Sequence, residues 1–136
     1  MGESAQHLQL VNLIIDEVVS IVGETNRCFI MSDAADGYAL SPLMEEGYRP
    51  DVYYQYQHSL IIGEAKTSDD VARVHSKLQY ESYLKKCSLF RGKAMRRFKI
   101  CMAIDKEKEI AFPTELWYVC WLQKGGDLNG KTKTVR

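Results

Sequence analysis

The sequence lacks any long apolar segment of the kind that crosses a membrane or directs secretion. No apolar run approaches the roughly 20 residues that a transmembrane helix needs. The first ten residues, MGESAQHLQL, contain neither a basic leader nor a hydrophobic stretch. We therefore expect a soluble, cytoplasmic protein with no membrane partner. Its 136 residues are enough for a single domain with one modest core.

Cysteine is scarce, and net charge is absent. The four cysteines are widely separated and form no CxxC pair, which argues against a zinc ribbon and favours reduced, mostly buried thiols. The formal net charge is zero, but residues 1–70 contain 3 Lys+Arg and 12 Asp+Glu, and residues 71–136 contain 15 and 6. Either the two halves neutralise each other, or a cation-binding carboxylate cluster adjoins a phosphate-binding surface. Charge alone favours neutralisation.

Hydrophobic periodicity predicts a helix followed by strands. Apolar residues recur at spacings of three and four from Leu8 to Val22, which predicts an amphipathic helix that ends near Gly23. Glu17 lies at the edge of its buried face. The segments RCFIM, DVYYQY, SLIIGEAK and FKICMAI are typical of strands.

The segment TSDD predicts the start of a second helix that runs to about Lys86 with Val71, Val74 and Leu78 as its apolar stripe. Residues 114–126 fit either a helix or a buried strand, and periodicity cannot decide between them. Residues 127–136 form a polar tail that is a candidate for disorder.

Three charged residues, Asp51, Glu64 and Lys66, occupy positions that the strand pattern predicts to be buried. If Gln57 and His58 form the loop of a hairpin, antiparallel pairing places Asp51 opposite Glu64. Lys66 is two residues beyond Glu64 and therefore shares its face of the strand. This register brings all three charges together at one end of the hairpin.

A divalent metal would give this cluster a chemical purpose. Mg²⁺ takes oxygen ligands and often binds through one or two carboxylates plus a substrate phosphate. We expect Asp51, Glu64 and the Ala65 carbonyl to supply such ligands. Lys66 would hold or help deprotonate the water that attacks the phosphorus atom and would stabilise the charge that develops there. Without cations, two close carboxylates would repel each other and raise one pKa.

The sequence resembles the PD-(D/E)XK nuclease superfamily, which has the restriction-endonuclease-like fold. The resemblance rests on Pro50-Asp51, twelve intervening residues and Glu64-Ala65-Lys66, within a predicted αβββαβ order of elements. It implies a mixed central sheet flanked by helices and a Mg²⁺-dependent DNA nuclease, in which Mn²⁺ is able to substitute. It also implies a metal-site acid on the first helix, where Glu17 is best placed and Glu24 is the reserve.

Many members of that superfamily carry a QxxxY pattern on the next helix, and Gln79 and Tyr83 match it. By resemblance, Gln79 would orient a catalytic carboxylate or water. Tyr83 would contact backbone phosphate or support Gln79. An ordinary helix face is the plainer interpretation of both residues.

DNA is the expected partner, and a cluster of five basic residues is the expected phosphate-binding surface. The cluster consists of Arg91, Lys93, Arg96, Arg97 and Lys99. A solvated basic loop is the competing interpretation of this cluster.

The small size of the protein also leaves open a homodimer or a larger complex that supplies target recognition. A non-catalytic nucleic-acid-binding or assembly domain is the alternative function.

Overall fold

The protein is a mixed α/β domain in the computed structural model, which describes residues 5–67, 70, 73–91, 97–104, 119–123 and 131–133, with the backbone alone from residue 90 onward. The predicted order of helix, strand, hairpin, helix and strand is confirmed. The elements are α1 (Ala5–Val22), a 3₁₀ helix (Glu24–Phe29), β1 (Ile30–Ser32), β2 (Val52–Tyr56), β3 (Ser59–Ala65), α2 (Val74–Arg91), β4 (Arg97–Ile104), β5 (Val119–Gln123) and β6 (Lys131–Lys133).

The strands form one mixed sheet in the order β1-β2-β3-β4-β5-β6. The first three strands pair antiparallel, β4 and β5 run parallel to β3, and β6 is antiparallel to β5. Within residues 114–126, which fit either a helix or a strand, Val119–Gln123 is a strand. Within the tail expected to be disordered, Lys131–Lys133 instead pair with β5. The other residues of these two segments lie outside the described residues.

α1 covers one face of the sheet with the apolar stripe that its sequence predicts. Its buried residues pack with Val52, Tyr54 and Ile61 in the main core. Gly23, at φ 96°, takes a left-handed conformation that glycine adopts without a steric penalty, and the helix ends there. The buried residues of α1 are Leu10, Val11, Ile14, Ile15 and Val18.

By length and composition alone α1 would also suffice to cross a membrane. Its contacts with the sheet, however, are those of a helix in a hydrophobic core.

Gly63 lies where α1 packs closely against the sheet. A Cβ atom at this position would lie 2.5 Å from Ile14 Cγ2 and 3.1 Å from Val52 Cβ. The β2–β3 register extends to Gly63, and the β3–β4 register runs through it without interruption. The glycine therefore permits close packing of backbone and helix, and there is no β-bulge at this point.

α2 covers the other face and differs from the prediction in both its start and its buried side. It begins at Val74, after a turn in which the Asp70 N–H donates to the Thr67 carbonyl at 3.0 Å. Val74 and Leu78, predicted to be buried, are 75% and 46% exposed. The predicted stripe residue Val71 lies outside the described residues. The buried residues are instead Ser76, Gln79, Tyr80, Ser82, Tyr83 and Cys87.

The physical reason is the composition of the sheet face beneath α2. Glu64 and Lys66 are buried on that face. Burial of a charged group is costly unless it is hydrogen-bonded. The helix therefore presents its polar row to the sheet and leaves two apolar residues in solvent.

Candidate functional site

The β2–β3 hairpin sets the geometry of the site. Its register runs from Val52 opposite Gly63 to Tyr56 opposite Ser59, which leaves a loop of two residues, Gln57 and His58. Gln57 has φ 54°, as such a loop requires. The predicted register is confirmed, and Asp51 immediately precedes the first pair.

Two serine hydroxyls fix the backbone that leads into the site. Ser32 Oγ donates to the Asp51 carbonyl at 2.7 Å, and Ser41 Oγ donates to the Pro50 carbonyl at 2.5 Å. Both serines are buried. These bonds satisfy two buried carbonyl groups and hold residues 50 and 51 at the end of β2.

Asp51 is buried and is anchored to the neighbouring strand. Its Oδ2 accepts the Ala65 N–H at 2.9 Å and lies 3.2 Å from His7 Nε2. The carboxylate thus bridges the end of β3 and the first turns of α1. His7 is a site residue that the sequence analysis did not single out. Its available signal was its spacing, three and four residues before the buried Leu10 and Val11.

Glu64 is the most enclosed acidic group of the site, with 4% of its surface exposed. Tyr83 donates its hydroxyl hydrogen to Oε1 at 2.7 Å, and Lys66 Nζ lies 3.7 Å from Oε2. Burial and the nearby negative charge of Asp51 raise the pKa of Glu64 well above its usual value of 4.5, whereas Lys66 and Tyr83 oppose this shift. Glu64 therefore holds its proton more tightly than a glutamate in solvent does.

Lys66 lies at the end of β3 beside Glu64 and is buried. Its Nζ donates to Gln79 Oε1. Because an ammonium group has three donors, this bond orients the group and leaves capacity for a substrate oxygen. Gln79 acts through Lys66 and is a positioning residue.

The structure corrects the prediction for Tyr83. The sequence predicts that Tyr83 contacts backbone phosphate or supports Gln79, but the residue is fully buried. Its hydroxyl is bonded to Glu64, and burial together with the charge of Glu64 raises its pKa. Tyr83 therefore cannot reach a phosphate in solvent. Its hydroxyl orients the Glu64 carboxylate from the α2 side of the sheet.

Glu17 lies well along α1 from the turn that contacts Asp51. Glu17 lies three residues beyond Ile14, which packs on the α1 side of Gly63, whereas Glu64 faces α2. It is also ten residues beyond His7, or about 15 Å along the helix axis. The reserve, Glu24, is exposed and pairs with Arg27 at 2.5 Å, which lowers its pKa. On α1, the residue that contacts Asp51 is His7.

The basic cluster lies towards the other end of the sheet, as far as its backbone is described. Arg97 pairs with Ser59 and Lys99 with Ile61, whereas Glu64 pairs with Met102. Lys99 is thus about 10 Å along β4 from the level of the carboxylates. Arg91 ends α2, and Lys93 and Arg96 lie outside the described residues.

The three tyrosines of β2 all take part in packing. Tyr53 and Tyr54 are buried, and Tyr56 stacks on Phe29 with ring centroids 4.0 Å apart. Burial raises the pKa of Tyr53 to about 12. His75, on α2, is exposed and makes an edge contact with Tyr48.

Within the described residues, no group of three or more His, Cys, Asp and Glu side chains has a metal-binding arrangement. The oxygens of Asp51 and Glu64 nevertheless match the preference of Mg²⁺, which needs only one or two carboxylates when substrate and water complete its shell. Burial and the charge of Asp51 raise the pKa of Glu64, and a cation between the two carboxylates would relieve their mutual repulsion. The residues present therefore fit a hard divalent cation, and Ala65 ends the same strand.

Comparison with known proteins gives no family assignment. No protein-family model, curated protein or solved structure was found to match the chain.

Proposed function

We propose that the protein is a Mg²⁺-dependent deoxyribonuclease with a restriction-endonuclease-like αβββαβ core. The observation that carries this proposal is the hairpin register, which gathers Asp51, Glu64 and Lys66 at one end of the hairpin. Two buried carboxylates at close range repel each other and destabilise a fold unless positive charge offsets them. A divalent cation bound beside Lys66 would supply that charge.

The reaction is hydrolysis of a phosphodiester. A water oxygen forms a bond to phosphorus, the ester bond to the leaving oxygen breaks, and a proton passes to that oxygen. Asp51, Glu64 and the Ala65 carbonyl would hold the metal. A bound Mg²⁺ supplies Lewis acidity and lowers the pKa of water.

The chain's own residues have distinct roles in this proposal. Lys66 stabilises negative charge on the phosphoryl oxygens and orients the attacking water. Gln79 holds the Lys66 ammonium group, and Tyr83 holds the Glu64 carboxylate. His7 holds the Asp51 carboxylate. The last three are positioning residues.

A cleavage assay tests the function. Supercoiled plasmid and labelled single-stranded, duplex, flap and four-way DNA are incubated with the protein in Mg²⁺, Mn²⁺ or EDTA. We expect cleavage with either metal and none in EDTA. Lys66→Met should lower the rate by at least about 100-fold, on the scale of a lost charge-stabilising group.

Lys77→Met is the matched control, because Lys77 is an exposed lysine on α2 away from the carboxylates. It should retain the wild-type rate. Full activity in Lys66→Met, or loss of activity in both variants, would contradict the proposed site.

Metal binding has a readout that does not depend on activity. A ligand that binds only the folded state at 100 times its Kd stabilises it by about 2.7 kcal/mol. Mg²⁺ should therefore raise the thermal unfolding temperature of the wild type and raise that of Asp51→Asn much less. Equal shifts in both proteins would place the metal elsewhere.

A non-catalytic DNA-binding or assembly domain of the same fold is the second candidate. The observation that favours it is internal satisfaction of the cluster, because Asp51 accepts the Ala65 N–H and Glu64 accepts the Tyr83 hydroxyl. Such a domain would bind DNA equally well in Mg²⁺ and EDTA and cleave in neither. Sedimentation with and without DNA would show whether a dimer forms.

A further inference from the structure

A second concave site lies at the hairpin end of β2, away from the carboxylates. It is a pocket of about 570 Å³, within the size range of small-molecule sites. Aromatic rings, two glutamine amides, one lysine and the apolar side chains of Met31 and Pro42 line it. The aromatic and polar groups are Phe29, Tyr53, Tyr56, Gln55, Gln57 and Lys86.

The aromatic part of the pocket is already organised for stacking. The Phe29 and Tyr56 rings stack at 4.0 Å with an interplanar angle of 15°. Both rings are half-buried, so part of their surface is open. Stacking on such rings is the main source of affinity for unpaired nucleobases and tolerates any base.

The polar part of the pocket matches the rest of a nucleotide. Tyr53 donates its hydroxyl hydrogen to Gln55 Oε1 at 2.5 Å, which fixes the amide nitrogen as the donor. Gln57 presents a second amide from the hairpin loop. Amides pair with base edges, and a lysine such as Lys86 pairs with phosphate.

The pocket and the carboxylates stand at opposite ends of β2. Asp51 and Gln55 are four residues apart, or about 13 Å along the strand. A single strand of DNA that reaches from one site to the other would span only a few nucleotides. Arg91 ends α2 five residues beyond Lys86, and Arg97 pairs with Ser59, so basic residues stand at this end of the sheet.

We propose that this pocket binds an unpaired nucleobase of single-stranded DNA, a few nucleotides from the phosphate at Asp51 and Glu64. The spacing rests on the proposed nuclease function, whereas the binding itself does not. Under this proposal the protein prefers DNA with a single-stranded end or flap, because a base in duplex is unavailable for stacking.

Fluorescence of a short single-stranded oligonucleotide that carries one 2-aminopurine tests the pocket, in EDTA so that no metal-dependent cleavage occurs. Stacking on the rings should quench the probe, and the same sequence in duplex should not be quenched. Tyr56→Leu should weaken the affinity about tenfold. Lys86→Met should weaken it severalfold, whereas Lys77→Met should leave it unchanged.

Gln57→Gly is a second variant, which tests the pocket even if Tyr56→Leu does not fold. Gln57 has φ 54°, a conformation that glycine adopts readily, so the change removes the amide without strain in the loop. Gln57→Gly should weaken single-strand affinity and leave the unfolding temperature unchanged. Equal affinity of Gln57→Gly, Lys86→Met and the wild type, or equal quenching by duplex, would overturn the proposal.

The two proposals fail separately. Quenching that Tyr56→Leu abolishes, without cleavage in Mg²⁺, would retain the nucleobase site and reject the nuclease. Cleavage that requires Lys66, with single-strand affinity unaffected by the pocket variants, would retain the nuclease and reject the nucleobase site.

Discussion

Tyr83 donates its hydroxyl hydrogen to Glu64 Oε1 at 2.7 Å, and both side chains are buried between α2 and the sheet. This bond joins the helix to the acidic centre. Its geometry explains why α2 turns a polar row inward and leaves Val74 in solvent.

Tyr83→Phe should destabilise the protein and change the titration of Glu64. Loss of a hydrogen bond to a charged group costs about 1.5–3 kcal/mol. Because Tyr83 lowers the pKa of Glu64, its loss should raise that pKa further and shift the pH profile of cleavage to higher pH. Urea unfolding and a pH–rate profile measure the two effects.

The matched control is Tyr80→Phe. Tyr80 is a buried tyrosine on the same helix, and its hydroxyl is hydrogen-bonded to Ser76. This variant should lose stability with much less change in the pH profile. Identical pH profiles for the wild type and Tyr83→Phe would contradict the role given to Tyr83.

Glu64→Gln should stabilise the protein at neutral and alkaline pH. The folded state raises the pKa of Glu64, so it binds a proton more tightly than the unfolded state does. The contribution of Glu64 to stability is therefore greatest below its usual value of 4.5 and is lost as the pH rises through the folded-state pKa. The variant has no carboxylate to ionise, so its stability relative to the wild type should rise with pH across this window.

Urea unfolding of Glu64→Gln from pH 4 to pH 9 measures this window, and the gain should shrink towards the acidic end. Glu81→Gln, an exposed substitution on α2, serves as the control and should show no such trend. A constant difference across the pH range would mean that Glu64 is ionised and well compensated throughout.

The sequence was enough to predict the elements whose signals are local. The apolar stripe from Leu8 to Val22 set the limits of α1 to within a few residues, and the two-residue loop at Gln57 set the hairpin register. The register follows from loop length alone, and it carried Asp51 and Glu64 to the same strand end.

Other features depended on tertiary context that no local pattern records. The inward face of α2 is decided by Glu64 and Lys66 on another element, which overrides the preference of Val74 and Leu78 for burial. His7 was missed and Glu17 preferred for a related reason. Residue type suggested an acid on α1, whereas the crossing of the helix over the sheet decides which turn meets Asp51.

Gly63→Ala should destabilise the fold by about 1–3 kcal/mol, the usual cost of overpacking. The added methyl group would lie 2.5 Å from Ile14 Cγ2, which is far inside normal contact. Ile14→Ala removes that methyl group and costs stability by itself. The double variant should therefore lose less than the sum of the two single losses. Strict additivity in urea unfolding would show that α1 shifts freely to accommodate the methyl group.

His7 and Glu17 make competing predictions for the α1 contribution to the site. His7 Nε2 lies 3.2 Å from Asp51 Oδ2, and Glu17 lies ten residues further along the helix. His7→Ala should lower the cleavage rate about tenfold and weaken the Mg²⁺-dependent rise in unfolding temperature, because the carboxylate loses one of its orienting contacts.

Glu17→Ala is the comparison, and it should leave the cleavage rate and the Mg²⁺-dependent rise in unfolding temperature within about twofold of the wild type. His7→Asn, which retains a side-chain N–H donor, should recover part of the loss and thereby separate orientation of Asp51 from simple packing. A large loss of metal response in Glu17→Ala, with His7→Ala unaffected, would restore the acidic residue to the site and remove the histidine from it.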